Sequence, residues 1–257
     1  MRVDFGKTAA DYGTHRAGFP GRFFDRLIAA GFVKSGDRLL DLGTGTGTVA
    51  RGFAQRGCTV TGLDPSRPLL EEAARLDREA GVSVSYVEAK AEETGLTPGS
   101  FDVVTAGQCW HWFDRPRAAR EARRVLKPGG ILVIAHFDWI PLPHNVVDAT
   151  EKLVEKHNPS WKLGGGHGLH PHWLADAAVA GFEDIETFSF DEPARYTHEG
   201  WRGRIRASAG VAASLAPDAV ARFDEELTAL PARDFPEDPM PVPHRVWVMT
   251  ARSPRQR

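Results

Sequence analysis

The sequence has little of what would carry a chain across a membrane or hold it by covalent staples. Its 257 residues include two cysteines, Cys58 and Cys109, and neither sits in a Cys-x-x-Cys pair or another metal spacing. A disulfide framework is therefore excluded as the basis of the fold. The opening stretch MRVDFGKTAADYGTHRAGFP lacks the apolar centre of a signal peptide. No apolar run approaches the roughly 20 residues of a membrane span. Neither sign of charge dominates, since 32 Lys and Arg against 34 Asp and Glu leave a formal net charge of −2. That balance provides no general attraction to nucleic acid. The basic run RPRAAREARR is broken by alanines and an acid, as on a solvated helix face. These absences predict a cytoplasmic protein with neither a nucleic-acid nor a membrane partner.

What is present is an alternation. RFFDRLIAAGFV, following Pro20 and Gly21, has helical apolar spacing; DRLLDLG (37–43) is a short apolar strand, and TVARGFAQRG (48–57) a helix stopped by Gly57. CTVTGLD (58–64) is a second strand. SRPLLEEAARLDREAG (66–81) carries a Ser cap, an early Pro, acids in its first turn and a terminal Gly. VSVSYVEA (82–89) and FDVVTAG (101–107) are strands three and four, 115–130 a helix closed by Pro-Gly-Gly, and ILVIAHF (131–137) a fifth strand. Strands alternating with helices predict a doubly wound α/β domain with a mainly parallel sheet, and wholly apolar strands predict cover on both faces. After Phe137 the pattern loosens. Helices are expected near 145–157 and 171–182, and in two pieces over 199–230 separated at Pro217. Strands are expected at 183–190 and 244–252. The whole reads as one domain with cap insertions over 138–182 and 195–243.

The strongest chemical signal is LLDLGTGTG (39–47), between the first strand and the first following helix. Gly43, Gly45 and Gly47 allow a tight turn and a close backbone approach to a ligand. A ligand-free turn would look the same in isolation. Asp64, however, ends the second strand about 20 residues on, where nucleotide-binding α/β domains set an acid against ribose hydroxyls. Thr48 stands where the dinucleotide fingerprint requires its third glycine. A ligand with ribose but no phosphate therefore fits better than NAD.

Over residues 36–137 the sequence resembles the class I S-adenosylmethionine-dependent methyltransferases. LLDLGTGTG is similar to that family's first motif and VTGLDPS to its second. VEAKAEETGL resembles the adenine-contacting segment, SFDVVTAGQCWHWFD the fourth strand and its substrate-facing end, and ARRVLKPGGILVIA the following helix and strand. The HWFD ending is similar to a subgroup that includes trans-aconitate methyltransferases. The resemblance implies a Rossmann-like seven-stranded sheet with helices on both faces, S-adenosylmethionine as cofactor, S-adenosylhomocysteine as product, and a small-molecule acceptor. It implies that Asp41 and the loop Gly43, Thr44, Gly45 and Gly47 hold the methionine half, Asp41 complementing the ammonium. Asp64 would bind the ribose, Pro65 and Ser66 would border the adenine, Ala91 and Glu92 would lie at its edge, and Gln108 would lie beneath the reactive end. Lys90 departs from the acid that many relatives carry there. A cofactor-binding regulator without transfer activity would share all these residues.

Methyl transfer needs alignment above all, and a base only where the acceptor is protonated. His111 is the candidate base, an orienting group, or part of a plug with its neighbours Trp110 and Trp112. An oxygen acceptor, carboxylate or hydroxyl, is favoured over nitrogen or sulfur. DYGTHRAGFP is similar to the family's lid segment, which makes Tyr12, His15 and Arg16 candidates for substrate or carboxylate contacts. Arg202 and Arg206 share a helix face in GWRGRIRAS and could clamp an acidic group; a solvated face is the alternative. His167, His170 and His172 do not have a standard metal spacing, and their glycines favour a mobile loop. No metal is expected.

Overall fold

Short runs of Leu, Val and Ile without polar alternation are stable only as strands covered on both faces. In the computed structural model, which describes residues 18–162, 164–206, 208, 210–211 and 214–255, such runs form a seven-stranded sheet. The elements in chain order are α1 (Gly21–Ala29), β1 (Arg38–Leu42), α2 (Thr48–Ala54), β2 (Thr59–Asp64), α3 (Arg67–Glu79), β3 (Ser85–Glu88) and β4 (Phe101–Gly107). A 3-10 turn at Trp110–Trp112 leads to α4 (Arg115–Val125), β5 (Leu126–Trp139) and α5 (Val146–His157). A second 3-10 turn at Pro171–Trp173 precedes α6 (Leu174–Val179), β6 (Glu183–Asp191), β7 (Ala194–Tyr196), α7 (His198–Arg206), α8 (Pro217–Asp234), β8 (Met240–Val242) and β9 (His244–Arg252).

The sheet order is β3-β2-β1-β4-β5-β9-β6. The pairs β2/β3, β1/β2, β1/β4 and β4/β5 are all parallel. The chain thus moves outward from β1 to β3 and then returns to the other side of β1. This reversal opens a crevice at the carboxyl ends of β1 and β4, where ligands bind in sheets of this kind. No helix among the described residues is long and apolar enough to cross a membrane.

Three local expectations need correcting. The helix predicted to run to residue 130 ends at Val125, and β5 begins at Leu126. Pro128 disfavours helix at the preceding residue and favours extended chain. A Cβ at Gly130 would lie 3.0 Å from the carbonyl oxygens of both Asp102 and Lys127, so Pro-Gly-Gly belongs to the strand rather than to a helix stop. The hydroxyl of Ser66 makes no cap bond, and the first turn of α3 holds no acid; Ser66 donates its amide to Asp64 instead, at 2.9 Å. The helix expected over 171–182 is a 3-10 turn followed by the short α6.

The described residues divide into two compact units. One holds 18–137, 170–189 and 246–255 and contains the sheet core. There Trp173, Ala177, Ala180 and Phe182 pack with Ala118, Ala119 and Ala122 of α4, which is why 170–182 groups with the sheet rather than with a cap. The other holds 138–169 and 190–245. Its separate core joins Val146, Val147 and Val154 of α5 to Trp201 and Ile205 of α7 and Phe223 and Leu227 of α8. The Trp201 indole donates to the Thr150 hydroxyl at 3.0 Å, and β7 pairs antiparallel with β8.

Gly52 tests the packing of the sheet unit. Alanine in mid-helix ordinarily gains about 1 kcal/mol over glycine. Here its Cβ would lie 2.2 Å from the ring of the buried Phe24, and overpacking of that kind costs about 1–3 kcal/mol. Gly52→Ala is expected to lower the urea midpoint; an unchanged or raised midpoint would show that α1 and α2 pack loosely.

Candidate functional site

The site starts from the turn after β1. Gly43, Gly45 and Gly47 all take left-handed φ, +61°, +55° and +78°, a region costly for other residues. Two of them are also sterically required. A Cβ on Gly43 would meet Cys109 at 2.9 Å, and one on Gly47 would meet the Tyr86 hydroxyl at 2.6 Å. A Cβ on Gly45 would meet nothing within 4 Å. The loop is thus packed at both ends and open in the middle.

Two carboxylates hold it there. Asp64, at the end of β2, accepts from the Gly45 amide at 3.0 Å with one oxygen and from the Ser66 amide at 2.9 Å with the other. Asp41 in β1 accepts from the Thr44 hydroxyl at 2.7 Å and the Thr105 hydroxyl at 2.6 Å. Both acids are buried, and burial raises both pKa values, that of Asp41 to about 6. The amides of Ser66 and Gly45 partly offset the rise at Asp64. Among the described residues neither carboxylate has an ion-pair partner. Arg51, the nearby cation, pairs instead with the buried Asp77 at 2.8 Å and donates to the Thr46 carbonyl at 2.8 Å. The turn therefore presents open backbone and a net negative field, which suits a cationic ligand and repels a phosphate.

The adenine-segment candidates lie on the same unit. Ala91 is buried, and Glu92 accepts from the Asp114 amide at 2.8 Å, fastening the chain after β3 to the start of α4. Gln108 follows β4 with φ +63°. Its backbone amide donates to Ala135 at 2.9 Å, and its side-chain amide donates to the Phe137 carbonyl. β5 thus braces the residue that leaves the sheet at the crevice.

The WHW turn splits by residue. Trp110, a substrate-binding candidate in the sequence, belongs instead to the core: it is fully buried, its indole donates to Asp176 at 3.0 Å, and it packs edge-on to Phe113. Trp112 is 45 % exposed and His111 is exposed. The His111 ring lies 4.5 Å from that of Trp112 and 5.3 Å from that of His136. His136 in turn lies 4.4 Å from His170, which stacks on Trp173 at 4.1 Å. Burial and the neighbouring His170 hold the His172 pKa below its usual value. Sequence reading missed His136, although a histidine inside the apolar run ILVIAHF was a visible signal.

Arg202 and Arg206, expected to clamp a ligand acid, are instead neutralised within the second unit. Arg202 forms a bidentate pair with Asp224 and contacts Glu199 at 3.0 Å; Arg206 reaches Asp224 at 3.2 Å. These bonds tie α7 to α8. Tyr12, His15 and Arg16 lie outside the described residues.

With this geometry in view, comparison with known proteins is informative. Residues 40–134 match the methyltransferase domain family. An uncharacterized methyltransferase of Mycobacterium tuberculosis is 36% identical over 132 residues, 51% of each chain. The 27-O-demethylrifamycin SV methyltransferase of Amycolatopsis mediterranei is 32% identical over 186 residues, 70% of this chain and 65% of that one. A crystal structure described as a type II methyltransferase from Anaeromyxobacter dehalogenans superposes with a TM-score of 0.66 at 26% identity, covering 94% of this chain and 99% of that one. The chain spans about half the length of the first of these curated relatives. Residues 40–134, carried on the parallel sheet with its open glycine turn, thus match a methyltransferase domain, and with these relatives they support a class I S-adenosylmethionine-dependent methyltransferase.

Proposed function

We propose that the protein transfers a methyl group from S-adenosylmethionine to an oxygen of a small-molecule acceptor. The observation that carries this reading is the turn at Gly45, open to a ligand and flanked by the unpaired carboxylates of Asp41 and Asp64. The cofactor bears an ammonium, a sulfonium and a ribose, and no phosphate, so its charge matches the field at the turn. A pyrophosphate would meet repulsion there, which argues against NAD. The oxygen preference draws on the rifamycin relative, whose name places its methyl on an oxygen.

When bound, the cofactor supplies an electrophilic methyl on sulfur. Transfer of that methyl to an acceptor oxygen would leave the electron pair of the broken carbon–sulfur bond on sulfur. The chain's task is alignment, which can contribute on the order of 7–11 kcal/mol. The Gly43–Gly47 loop, with Thr44, shapes the methionine site. Asp41, the more deeply buried of the two acids, acts there through its field. Asp64 takes the ribose hydroxyls; Pro65, Ser66, Ala91 and Glu92 border the base, and Gln108 sits below the reactive end. His111 takes the proton when the acceptor is a hydroxyl, and Trp112 flanks it. For a carboxylate acceptor no base is needed, and His111 orients the acceptor instead.

Calorimetric titration of the full chain with S-adenosylhomocysteine and with NAD tests the reading: the first should bind and the second should not, and NAD binding alone would contradict it. Asp64→Asn should weaken S-adenosylhomocysteine binding by about 10-fold or more, the equivalent of roughly 1.4 kcal/mol. The ionised form of Asp41 is the one that attracts an ammonium, and it takes up a proton as pH falls through about 6. Affinity should therefore drop between pH 7 and pH 5, and Asp41→Asn should reduce that dependence. His111→Ala should lower kcat more than it lowers S-adenosylhomocysteine affinity; equal turnover would remove His111 from the mechanism.

A further inference from the structure

The second unit places three arginines on α7 at alternate positions, and the chain treats them differently. Arg202 and Arg206 are one turn apart and share the carboxylates of Asp224 and Glu199. Arg204 lies two residues from each, hence about 200° around the helix on the opposite side. Its guanidinium sits over the Trp139 ring at 4.8 Å, with the Tyr196 side chain as its hydrogen-bonding neighbour. Among the described residues no carboxylate forms an ion pair with it; Asp138 acts on it only through longer-range attraction.

The surroundings do not supply a second counter-charge. Glu151 points its carboxylate to the Trp139 indole at 2.7 Å and to the Gly165 amide at 2.8 Å. His244 stacks against Tyr196 and bonds to the Val242 carbonyl through Nδ1 at 2.9 Å. Burial pulls its pKa down to about 4, so it is neutral at pH 7. Burial also pulls the Arg204 pKa below its ordinary value, against the attraction of Tyr196 and Asp138. The residue as a whole is half-buried. A guanidinium set over an indole, with no ion-pair partner among the described residues, has donor capacity that no carboxylate takes up. Such a fork recognises a planar or tetrahedral oxyanion through two parallel hydrogen bonds.

We infer that Arg204, backed by Trp139 and Tyr196, is an anion-recognition site that takes the carboxylate or phosphate-ester group of an acidic small molecule. This site goes beyond the methyl-transfer reading above and lies wholly within the second unit.

Benzoate, citrate and phenyl phosphate titrated calorimetrically into the full chain test it, with S-adenosylhomocysteine titrated in parallel. At least one anion should bind the unaltered protein; a carboxylate or the phosphate ester binding alone would identify which oxyanion is taken. Arg204→Met and Arg204→Gln should each weaken that binding at least 10-fold, and whichever folds by circular dichroism decides the matter. Arg204→Lys should recover part of the affinity, and Arg202→Met should leave it unchanged. If no anion binds the unaltered protein, or if both neutral variants that fold bind as well as it does, the inference is overturned. Retained S-adenosylhomocysteine binding in that case would leave the methyl-transfer reading intact. Arg204-dependent anion binding without S-adenosylhomocysteine binding would instead remove the transferase reading and keep the anion site.

Discussion

One carboxylate holds the functional end of the sheet together. Asp64 accepts from the amides of Gly45 and Ser66 with its two oxygens, so the turn after β1 and the turn after β2 are joined through a single side chain. The parallel pairing of β1 with β2 brings those turns side by side. The left-handed glycines let the first one bend far enough to reach. Among the described residues no cation pairs with the buried Asp64 or Asp41; amide dipoles balance the charge of the first and two threonine hydroxyls that of the second. An open backbone beside two such acids makes a place where a positively charged ligand lowers the electrostatic cost of burial.

The sheet was largely legible in the sequence because its signals are local. Apolar runs of strand length, glycines at helix ends and the alternation of strands with helices follow from spacing alone, and β4 and β9 fall at the residues predicted. Errors arose where a remote neighbour decides. Pro128 and Gly130 read as a helix stop, but the close approach of the Asp102 and Lys127 carbonyls makes them part of β5. Trp110 and Trp112 look alike in the sequence; a bond to Asp176 and a core position separate the first from the exposed second.

Charge was harder to read than apolarity. The helical spacing of Arg202 and Arg206 identified a shared face correctly, yet no local pattern indicates that Asp224, on a later helix, satisfies both. Arg204 lies off that face. Its position over Trp139 depends on chain far removed in sequence. In this unit the surface arginines fasten helices to each other, and the inward one is left with an aromatic support and a hydroxyl. The partition follows a general constraint: a long cation on a helix is neutralised by whatever acid the neighbouring element supplies, and where none is supplied a ligand can serve.

The account depends on the Gly45 turn receiving a nucleoside whose ribose rests on Asp64. A crystal structure of the full chain with S-adenosylhomocysteine tests this most directly. The account predicts the ribose hydroxyls on the Asp64 carboxylate and the amino-acid half against Gly43–Gly47, near Asp41. A ligand bound with its ribose away from Asp64 would contradict it.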